Sequence, residues 1–312
     1  MKLRVSVPAS TANLGPGFDC LGLALDLVNT FTFEMREGGS GWRLNLNGEG
    51  ADKLPRNERN LVVQAALHVF SLQGFKPRGE IRLDADVRIP LASGLGSSAS
   101  AVVAGMAAAN TLMGDPLPRE ALFEQMVHSE GHPDNVAPAF LGGLTVAFYS
   151  EGSDGMLPEL LWRQYQPHPE LRVVILYPHY EVPTAKARAI LPDLVDRRGA
   201  AQNMARLPFL IDALVDGHFD RLHFLMDDHL HQPYRKSLIS HFDDIVEAGE
   251  SAGAKAVALS GSGPSMAAFC DRREGLEEQV AAAMHAVVAD RGIEATTFIL
   301  APHDGTKIEV LD

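Results

Sequence analysis

The feature that most limits the possible folds of this chain is a glycine- and serine-rich segment between a strand pattern and a helix pattern. IRLDADVRIP alternates apolar and polar residues and stops at Pro90, which is typical of a β-strand. PLASGLGSSAS, residues 90–100, follows at once, and SSASAVVAGMAAANTLMG is apolar on every face, as in a buried helix. This order of elements predicts a protein of mixed strands and helices, with an anion site where the helix begins.

The glycine-rich segment has the chemistry of a phosphate cradle. Gly94 and Gly96 allow the backbone to approach a ligand, and Ser97 and Ser98 supply hydroxyl groups. The amino terminus of the helix presents unsatisfied N–H groups and partial positive charge. The segment lacks the Gly-Lys-Ser/Thr ending of a Walker A loop. For a lone segment of this kind, an ordinary turn with a serine N-cap is the competing interpretation.

Chain length and pattern favour two compact domains. The chain has 312 residues, of which 46% are hydrophobic, enough for more than one core. Gly, Ser, Pro and Asp accumulate around residues 151–170, and we place the domain boundary there, with domains at 1–160 and 161–312. The second half contains strand patterns and helical stretches typical of an α+β protein.

Charge and cysteine content narrow the possible partners. The formal net charge is −13, and no dense Lys/Arg block occurs, so we expect neither a nucleic-acid partner nor an anionic membrane. The sequence contains no apolar run of about 18 residues and no signal-peptide pattern. Cys20 and Cys270 lack the spacing of a disulfide framework or metal site. These features predict a cytoplasmic protein whose cysteines are inert.

Two further segments accompany the phosphate cradle: VPASTANLGPGFDCLGLAL near the start and LSGSGPSMAAF at 259–269. The three segments, in this order, resemble the motifs of the GHMP kinases, a family named for galactokinase, homoserine kinase, mevalonate kinase and phosphomevalonate kinase. The resemblance implies an ATP-dependent phosphotransferase whose phosphate loop is the glycine-rich segment. The implied ATP-binding residues are Pro90, Leu91, Ala92, Ser93, Gly94, Leu95, Gly96, Ser97, Ser98, Ala99 and Ser100.

The same resemblance implies a two-domain α+β fold. The first domain would be similar to domain 2 of ribosomal protein S5 and the second would be ferredoxin-like, with the active site between them. By analogy with the family, we also expect a homodimer.

Within the family, the first motif is most similar to the branch that phosphorylates L-homoserine in threonine biosynthesis. On that resemblance Asn13 and Asp19 contact the amino acid, and Gly261 lies beside the substrate cleft. TAKARAILP and HQPYRKSLI resemble segments that carry substrate-binding arginines, here Arg188 and Arg235. The chemistry agrees, because a free amino acid needs an anion for its ammonium group and cations for its carboxylate.

SEGHPDNVAPAFLGG, at 129–143, resembles the remaining signature of this branch. Glu130 falls at the end of a helix predicted between about Pro118 and Gly131, where the helix dipole disfavours a negative charge unless a cation compensates it. The resemblance assigns Glu130 and Ser98 to Mg²⁺ and places His132 against the substrate. Oxygen ligands suit that ion.

The role of Asp134 is open on sequence grounds. In mevalonate-kinase-like relatives an aspartate in this region acts as base, and Asp134 and Asn135 occupy the corresponding stretch. The homoserine-phosphorylating branch is thought to need no dedicated base, since phosphoryl transfer depends mainly on positioning and charge stabilisation. We therefore expect Asp134 and Asn135 to position the substrate, with a base role for Asp134 as the alternative.

Other interpretations remain at this stage. A mevalonate-type kinase or decarboxylase would share the fold but not a substrate that is a zwitterion, and a silent metabolite sensor would not need Ser98 and Glu130. Ser240 departs from the proline expected after SLI. His223, Asp227 and His231 recur at helical spacing and imitate a metal face, but such arrangements are usually polar helix surface.

Overall fold

The computed structural model describes residues 1–150, 152 and 159–311. The predicted strand before the glycine-rich segment, the buried helix after it and the helix that ends before Gly131 are all confirmed. The elements of the first half are β1 (Lys2–Ala12), β2 (Leu21–Arg36), β3 (Gly41–Gly48), α1 (Leu61–Leu72), β4 (Glu80–Val87), α2 (Ser97–Leu112), α3 (Arg119–Glu130), α4 (Pro133–Leu141), β5 (Leu144–Ser150) and β6 (Glu159–Tyr165).

The second half places its helices between the strands of a small sheet. Its elements are β7 (Leu171–Pro178), α5 (Thr184–Ala189), α6 (Arg197–Asp216), α7 (Leu222–Leu225), α8 (Gln232–Arg235), α9 (Phe242–Ser251), β8 (Ala256–Leu259), β9 (Met266–Asp271), α10 (Glu277–Ala289), β10 (Ala295–Leu300) and β11 (Lys307–Val310), with 3-10 turns at Phe219–Arg221, Lys236–Leu238 and Arg272–Glu274.

The strands form two sheets, which confirms the α+β class. Over the described ranges, a 7-stranded sheet has the order β11-β1-β2-β4-β3, with β5 paired to β2 and β6. The second sheet is 4-stranded and antiparallel, with the ferredoxin-like order β10-β7-β9-β8.

The domain boundary at 160/161 stays a prediction. Residues 151 and 153–158 of the predicted boundary segment lie outside the described residues, and position 160/161 lies within β6, which pairs with β5. β11 also returns to the first sheet, where it pairs with β1.

α4, β6 and β11 have no counterpart in the sequence-based prediction. α4 contains an internal proline, and all four residues of β11 are exposed, so neither has the usual pattern of its element.

Helix α2 forms the centre of the first core. Its buried residues lie on every side, because the sheet, α1 and α3 all pack against it. Gly105 is required at the contact with α1, where a Cβ atom would lie 2.2 Å from the carbonyl oxygen of Val62. The helix is therefore held firmly, and so is the glycine-rich segment that leads into it.

A second apolar cluster joins the two halves of the chain. Leu14, from the loop after β1, and Leu95, from the glycine-rich segment, share this cluster with Leu210 and Met226 of the second half. Loops from the first sheet are thus anchored on helices of the second. None of the helices in the described ranges combines the length and apolar character that a membrane span requires.

Candidate active site

The glycine-rich segment opens into the amino terminus of α2. Gly94 and Gly96 have φ angles of 83° and 73°, in the left-handed region that favours glycine. A Cβ atom on Gly94 would lie 2.3 Å from the carbonyl oxygen of Ser260, and one on Gly96 would lie 2.1 Å from Ser10 Oγ. The two glycines therefore permit both the turn and its close packing against other loops, which leaves the first N–H groups of α2 facing a cavity.

Most of the predicted ATP-binding residues line this cavity, whose volume is about 650 Å³. Leu91 and Ser100 instead line a second cavity, of about 820 Å³, which shares Ala92, Ser97 and Ser98 with the first. The walls of the second cavity are largely apolar and include Phe31, Leu46, Leu54, Val62 and Val87. Pro90 and Leu95 are buried and line neither cavity. No sequence signal had indicated the second cavity.

Ser98 and Glu130 meet across the cavity. The hydroxyl of Ser98, in the first turn of α2, donates to Glu130 Oε2 at 3.3 Å, from the last residue of α3. Burial raises the pKa of the Glu130 carboxyl above its usual value, although the charge of His132 and the bond from Ser98 oppose this. A half-buried carboxylate beside a hydroxyl is a suitable oxygen pair for a hard divalent cation, whose charge would offset the cost of burial.

The start of α4 supplies the next group. His132 precedes the helix, and its Nδ1 lies 2.5 Å from Asp134 Oδ1. Burial lowers the pKa of His132, but the hydrogen bond and charge of Asp134 outweigh it, so the pKa lies above its ordinary value. Asp134 is 3% exposed, and the helix dipole favours its negative charge. Asn135 Nδ2 lies 3.4 Å from Asp134 Oδ1, while its Oδ1 accepts a bond from Ser10 Oγ at 2.9 Å.

The loop after β1 adopts a strained conformation that its hydrogen bonds maintain. Asn13, Leu14 and Asp19 have positive φ angles, which are uncommon outside glycine. Asn13 Oδ1 accepts from the backbone N–H of Asp19 at 3.0 Å, and its Nδ2 donates to the carbonyl oxygen of Gly261 at 3.0 Å. Asn13 therefore sets the position of the Asp19 carboxylate and ties the loop to the turn that carries Gly261.

The two predicted arginines have different partners. Arg188 donates from both Nη atoms to the two carboxylate oxygens of Asp19, each at 2.8 Å. Arg235 is only 2% exposed, and it donates from Nε to Ala187 O at 3.0 Å and from Nη1 to Gly261 O at 3.1 Å. The bond with Asp19 raises the pKa of Arg188, whereas burial and then the charge of Arg188 lower that of Arg235. The Asp19 carboxylate is thus paired with Arg188, whereas the guanidinium group of Arg235 bonds only to backbone carbonyl oxygens.

The structure brings the predicted catalytic and substrate-binding residues to one place. The first cavity is lined by Asn13, Asp19, Ser98, Glu130, His132, Asp134, Asn135, Arg188, Arg235 and Gly261, together with loop residues. One oxygen or nitrogen atom from each of Asp19, His132 and Asp134 falls within 4.8 Å of the others. The arrangement places opposite charges on the wall facing the phosphate cradle, which suits a small molecule that carries both.

Sequence reasoning missed three residues of this region. Thr184 and Ser262 line the cavity, and their hydroxyl oxygens lie 3.3 Å apart. Ser10 lies beneath Gly96 and orients Asn135. All three belong to segments already singled out, so their position in those motifs was the available signal.

The spaced triplet on the second half does not form a metal site. His223 is exposed, Asp227 pairs with Arg206 at 2.6 Å, and His231 Nε2 lies 2.9 Å from the carbonyl oxygen of Gly15.

Both cysteines are free, and burial raises their thiol pKa values, to about 11 for Cys20 and about 12 for Cys270. Ser240 stands where the motif predicts a proline, and its backbone N–H donates to the Tyr180 hydroxyl. Arg235 still donates to the carbonyl oxygen of Ala187.

Comparison with known proteins agrees with this geometry. The model of the GHMP kinases N terminal domain matches residues 60–143, and that of the GHMP kinases C terminal region matches residues 210–290. The chain is 40% identical to the homoserine kinase of Carboxydothermus hydrogenoformans over 310 residues, which is 99% of this chain and 97% of that protein.

Solved structures give the same grouping. The homoserine kinase of Cytophaga hutchinsonii superposes with a TM-score of 0.85 at 29% identity, covering 99% of this chain and 97% of that one. The mevalonate kinase of L. major, solved with R-mevalonate, has a TM-score of 0.73 at 16% identity, with 96% of each chain covered. The second likeness concerns the fold alone.

Proposed function

Because the chain belongs to the homoserine kinases of the GHMP kinase family, we propose that it transfers the γ-phosphoryl group of ATP to the hydroxyl of L-homoserine. The observation that carries the proposal is the single cavity in which the glycine-rich segment faces Asp19, Arg188 and Arg235. One side suits phosphate groups and the other suits a zwitterion. The product, O-phospho-L-homoserine, is the intermediate of threonine biosynthesis that this reaction supplies.

ATP is the phosphoryl donor, and both cavities take part in its binding. The first N–H groups of α2 and the backbone around Gly94 and Gly96 hold the phosphates, since this backbone is open only in the absence of side chains. The adjoining apolar cavity receives the adenine base, because a flat, weakly polar ring gains from leaving water there. Ala92, Ser97 and Ser98 line both cavities and therefore lie where base and phosphates join.

Ser98 and Glu130 would hold Mg²⁺. The donor set fits, since a hydroxyl and a carboxylate are hard oxygen ligands and a bound cation would offset the burial that raises the pKa of Glu130. When bound, the ion supplies charge neutralisation for the transferred phosphoryl group. The negative charge of Glu130 would hold the ion beside the phosphates. The Ser98 hydroxyl would fix the ion relative to the first turn of α2.

The substrate wall recognises both charges of the amino acid. Arg235 has no carboxylate partner among the described residues, so its charge is available to the substrate carboxylate without breaking an ion pair. Arg188 and Asp19 neutralise each other before binding. A zwitterion replaces this one pair with two, its ammonium group on Asp19 and its carboxylate on the arginines. A molecule with only one of the charges would leave a half-buried partner unpaired.

The reaction must remove the proton of the substrate hydroxyl. The hydroxyl oxygen of L-homoserine bonds to the γ-phosphorus as the bond from that phosphorus to the leaving oxygen of ADP breaks. The hydroxyl proton passes to an oxygen of the transferred group and then to solvent. Asp134 is held by His132 and Asn135, so we assign it to positioning rather than to proton abstraction. His132 lines the same cavity and contacts the substrate.

The alternatives are less well supported. Mevalonate lacks the ammonium group for which Asp19 is placed, and likeness to mevalonate kinases is confined to the fold. A silent sensor would not require Ser98 and Glu130 to meet. The cytoplasmic location, the homodimer and the two-domain division at 160/161 stay predictions.

The deciding experiment is ATP consumption by the purified protein with Mg²⁺ and L-homoserine, and with L-serine, L-threonine or mevalonate in its place. We expect turnover of L-homoserine well above that of the others. Turnover of mevalonate instead would reject the assigned substrate wall but retain the phosphate cradle. ATP binding without turnover of any acceptor would favour the sensor.

A further inference from the structure

His231 is a fully buried histidine that the proposed reaction does not use. It immediately precedes α8, which carries Arg235, and it is 0% exposed. Its Nε2 lies 2.9 Å from the carbonyl oxygen of Gly15, in the loop between Asn13 and Asp19. A carbonyl can only accept, so Nε2 carries the proton and donates. His231 therefore joins the segment of Arg235 to the loop of Asp19.

The same ring also supports the arginines through Phe18. His231 and Phe18 stack with centroids 5.3 Å apart and an interplanar angle of 23°. The guanidinium carbons of Arg235 and Arg188 lie 5.1 Å and 5.9 Å from the centroid of Phe18. Phe18 is thus a platform for both cations, and His231 is one of its supports.

The histidine is itself held by a buried polar network. Asp228 is 5% exposed, and its Oδ2 accepts from the backbone N–H groups of His231 at 2.9 Å and of Gln232 at 2.6 Å. Its Oδ1 accepts from Asn203 Nδ2 at 2.7 Å, and that same nitrogen lies 3.3 Å from the carbonyl oxygen of Pro16. Two adjacent carbonyl groups of the loop are therefore fastened to helices of the second half.

The close packing behind the loop leaves little freedom for it to move. A Cβ atom on Gly15 would lie 2.2 Å from the carbonyl oxygen of Met226, so the loop lies flat against the turn that leads to Asp228. A loop with positive φ angles at Asn13 and Asp19 does not hold this shape by local preference. Its shape is maintained by the bond between Asn13 and Asp19 within the loop together with the contacts from the second half.

We propose that His231 is a positioning residue for the amino acid substrate: through Gly15 and Phe18 it holds Asp19, Arg188 and Arg235 at the spacing that an α-amino acid requires. The proposal rests on the proposed function. His231 touches neither the substrate nor ATP, because it does not line the cavity, and it acts by fixing the distance between the ammonium and carboxylate contacts.

The test separates the two properties of the ring. His231→Phe keeps an aromatic ring against Phe18 but removes the donor to Gly15, whereas His231→Gln keeps a donor and removes the ring. His168→Phe is the matched control, since His168 packs edge-on against Phe219 at 5.7 Å away from the cavity. KM for L-homoserine, KM for ATP, kcat and Tm are measured for each variant and for the wild type.

We expect His231→Phe to raise KM for L-homoserine about tenfold, the effect of one lost buried hydrogen bond. KM for ATP should stay within about twofold, since the phosphate cradle has no contact with His231, and kcat should change less than the homoserine KM. His231→Gln should restore part of the loss, and His168→Phe should lower Tm without changing either KM. Phe18→Leu, which removes the same stack from the loop side, should also raise only the homoserine KM.

Equal rises in both KM values, or a lower Tm with unchanged KM for L-homoserine, would overturn the positioning role. Should His231→Phe not fold, Phe18→Leu and His231→Gln apply the same criterion. Absence of L-homoserine turnover by the wild type would reject the proposed function itself. That outcome is distinct, because it does not depend on any variant.

Discussion

The two walls of the active-site cavity are built in different ways. We call residues 92–94 and 96–99 with Glu130 the phosphate wall, and Asn13, Asp19, Arg188, Arg235 and Gly261 the substrate wall. The phosphate wall is almost one contiguous segment whose shape follows from its glycines and from the start of a helix. The substrate wall joins distant segments, and its key bonds span 248 residues between Asn13 and Gly261 and 169 between Arg188 and Asp19. One wall of the site therefore depends on contacts local in sequence, and the other depends on contacts between distant segments.

The walls also differ in the source of their positive charge. On the phosphate wall it comes from backbone N–H groups, which truncation of a side chain does not remove. On the substrate wall it comes from guanidinium groups, one of which is almost fully buried. Loss of one side chain should thus affect the substrate wall most, and a change of backbone conformation should affect the phosphate wall most.

The largest expected effect is that of Arg235→Ala. It removes the cation that lacks a carboxylate partner and takes a donor from the carbonyl oxygens of Ala187 and Gly261, of which Gly261 keeps its bond from Asn13 Nδ2. We expect kcat/KM for L-homoserine to fall about 10²- to 10³-fold, the cost of losing a buried charged partner, with KM for ATP within about threefold. The control is Lys236→Ala, an adjacent exposed cation paired with Asp243. A matching rise in the ATP KM would contradict the separation of the walls.

Gly96→Ala tests the phosphate wall. The alanine would have to adopt a φ near 73° with its Cβ against Ser10 Oγ, and a left-handed conformation alone costs about 1–2 kcal/mol. We expect KM for ATP to rise about thirtyfold and binding of L-homoserine to change little. Gly114→Ala is the control, since Gly114 has a φ of +82° but no atom within 4 Å of the added carbon. Gly114→Ala should lower the free energy of unfolding without changing KM for ATP. Similar effects of both variants on ATP would show that strain, and not the cradle, is responsible.

The ion pair of the substrate wall gives a smaller effect, measured as a double-mutant cycle. Asp19→Asn and Arg188→Gln each leave the partner without its bidentate contact. The double variant has neither unpaired charge, so its loss in kcat/KM should be about tenfold smaller than the product of the two single losses. Additive losses would mean that the two residues bind the substrate independently.

The smallest expected effect concerns pH and the support behind the substrate wall. Burial lowers the pKa of His231 below 6.5, although Asp228 opposes it. The unfolded chain then binds more protons below pH 6.5, so the free energy of unfolding should decrease from pH 6.5 to 5.5, by at most about 1.4 kcal/mol from this group. The comparison by denaturant unfolding is between the wild type and His231→Phe, which should lose this slope.

Asp228, which faces His231, and His132, at the start of α4, affect stability in other pH ranges. The pKa of Asp228 is lowered from 3.8, so its contribution is lost only in more acidic solution. The raised pKa of His132 has the opposite sign, with stability present below pH 6.5 and lost as pH rises through the raised value. Equal slopes in the wild type and His231→Phe between pH 6.5 and 5.5 would contradict the assignment.

The phosphate wall shows how much of such a site can be predicted from sequence. A strand, two glycines and a buried helix lie in consecutive positions, and each has a local signature, so the structure contains the elements that the pattern predicted. α4 escaped prediction because a proline lies within a nine-residue helix. The apolar second cavity escaped it because Phe31, Leu46 and Leu91 come from separate elements and look like ordinary core residues.

By itself, the sequence determined the α+β class, the glycine-rich turn before a buried helix and the residue types available for the substrate wall, since these depend on local periodicity, on glycine and on motifs. Only the tertiary structure decided that Asp19 pairs with Arg188, that Arg235 is buried against carbonyl groups, and that His231 supports the loop instead of forming a metal face. These contacts join segments far apart in the chain. Their partners are chosen by packing and by the cost of burying an unpaired polar group, which no local pattern records.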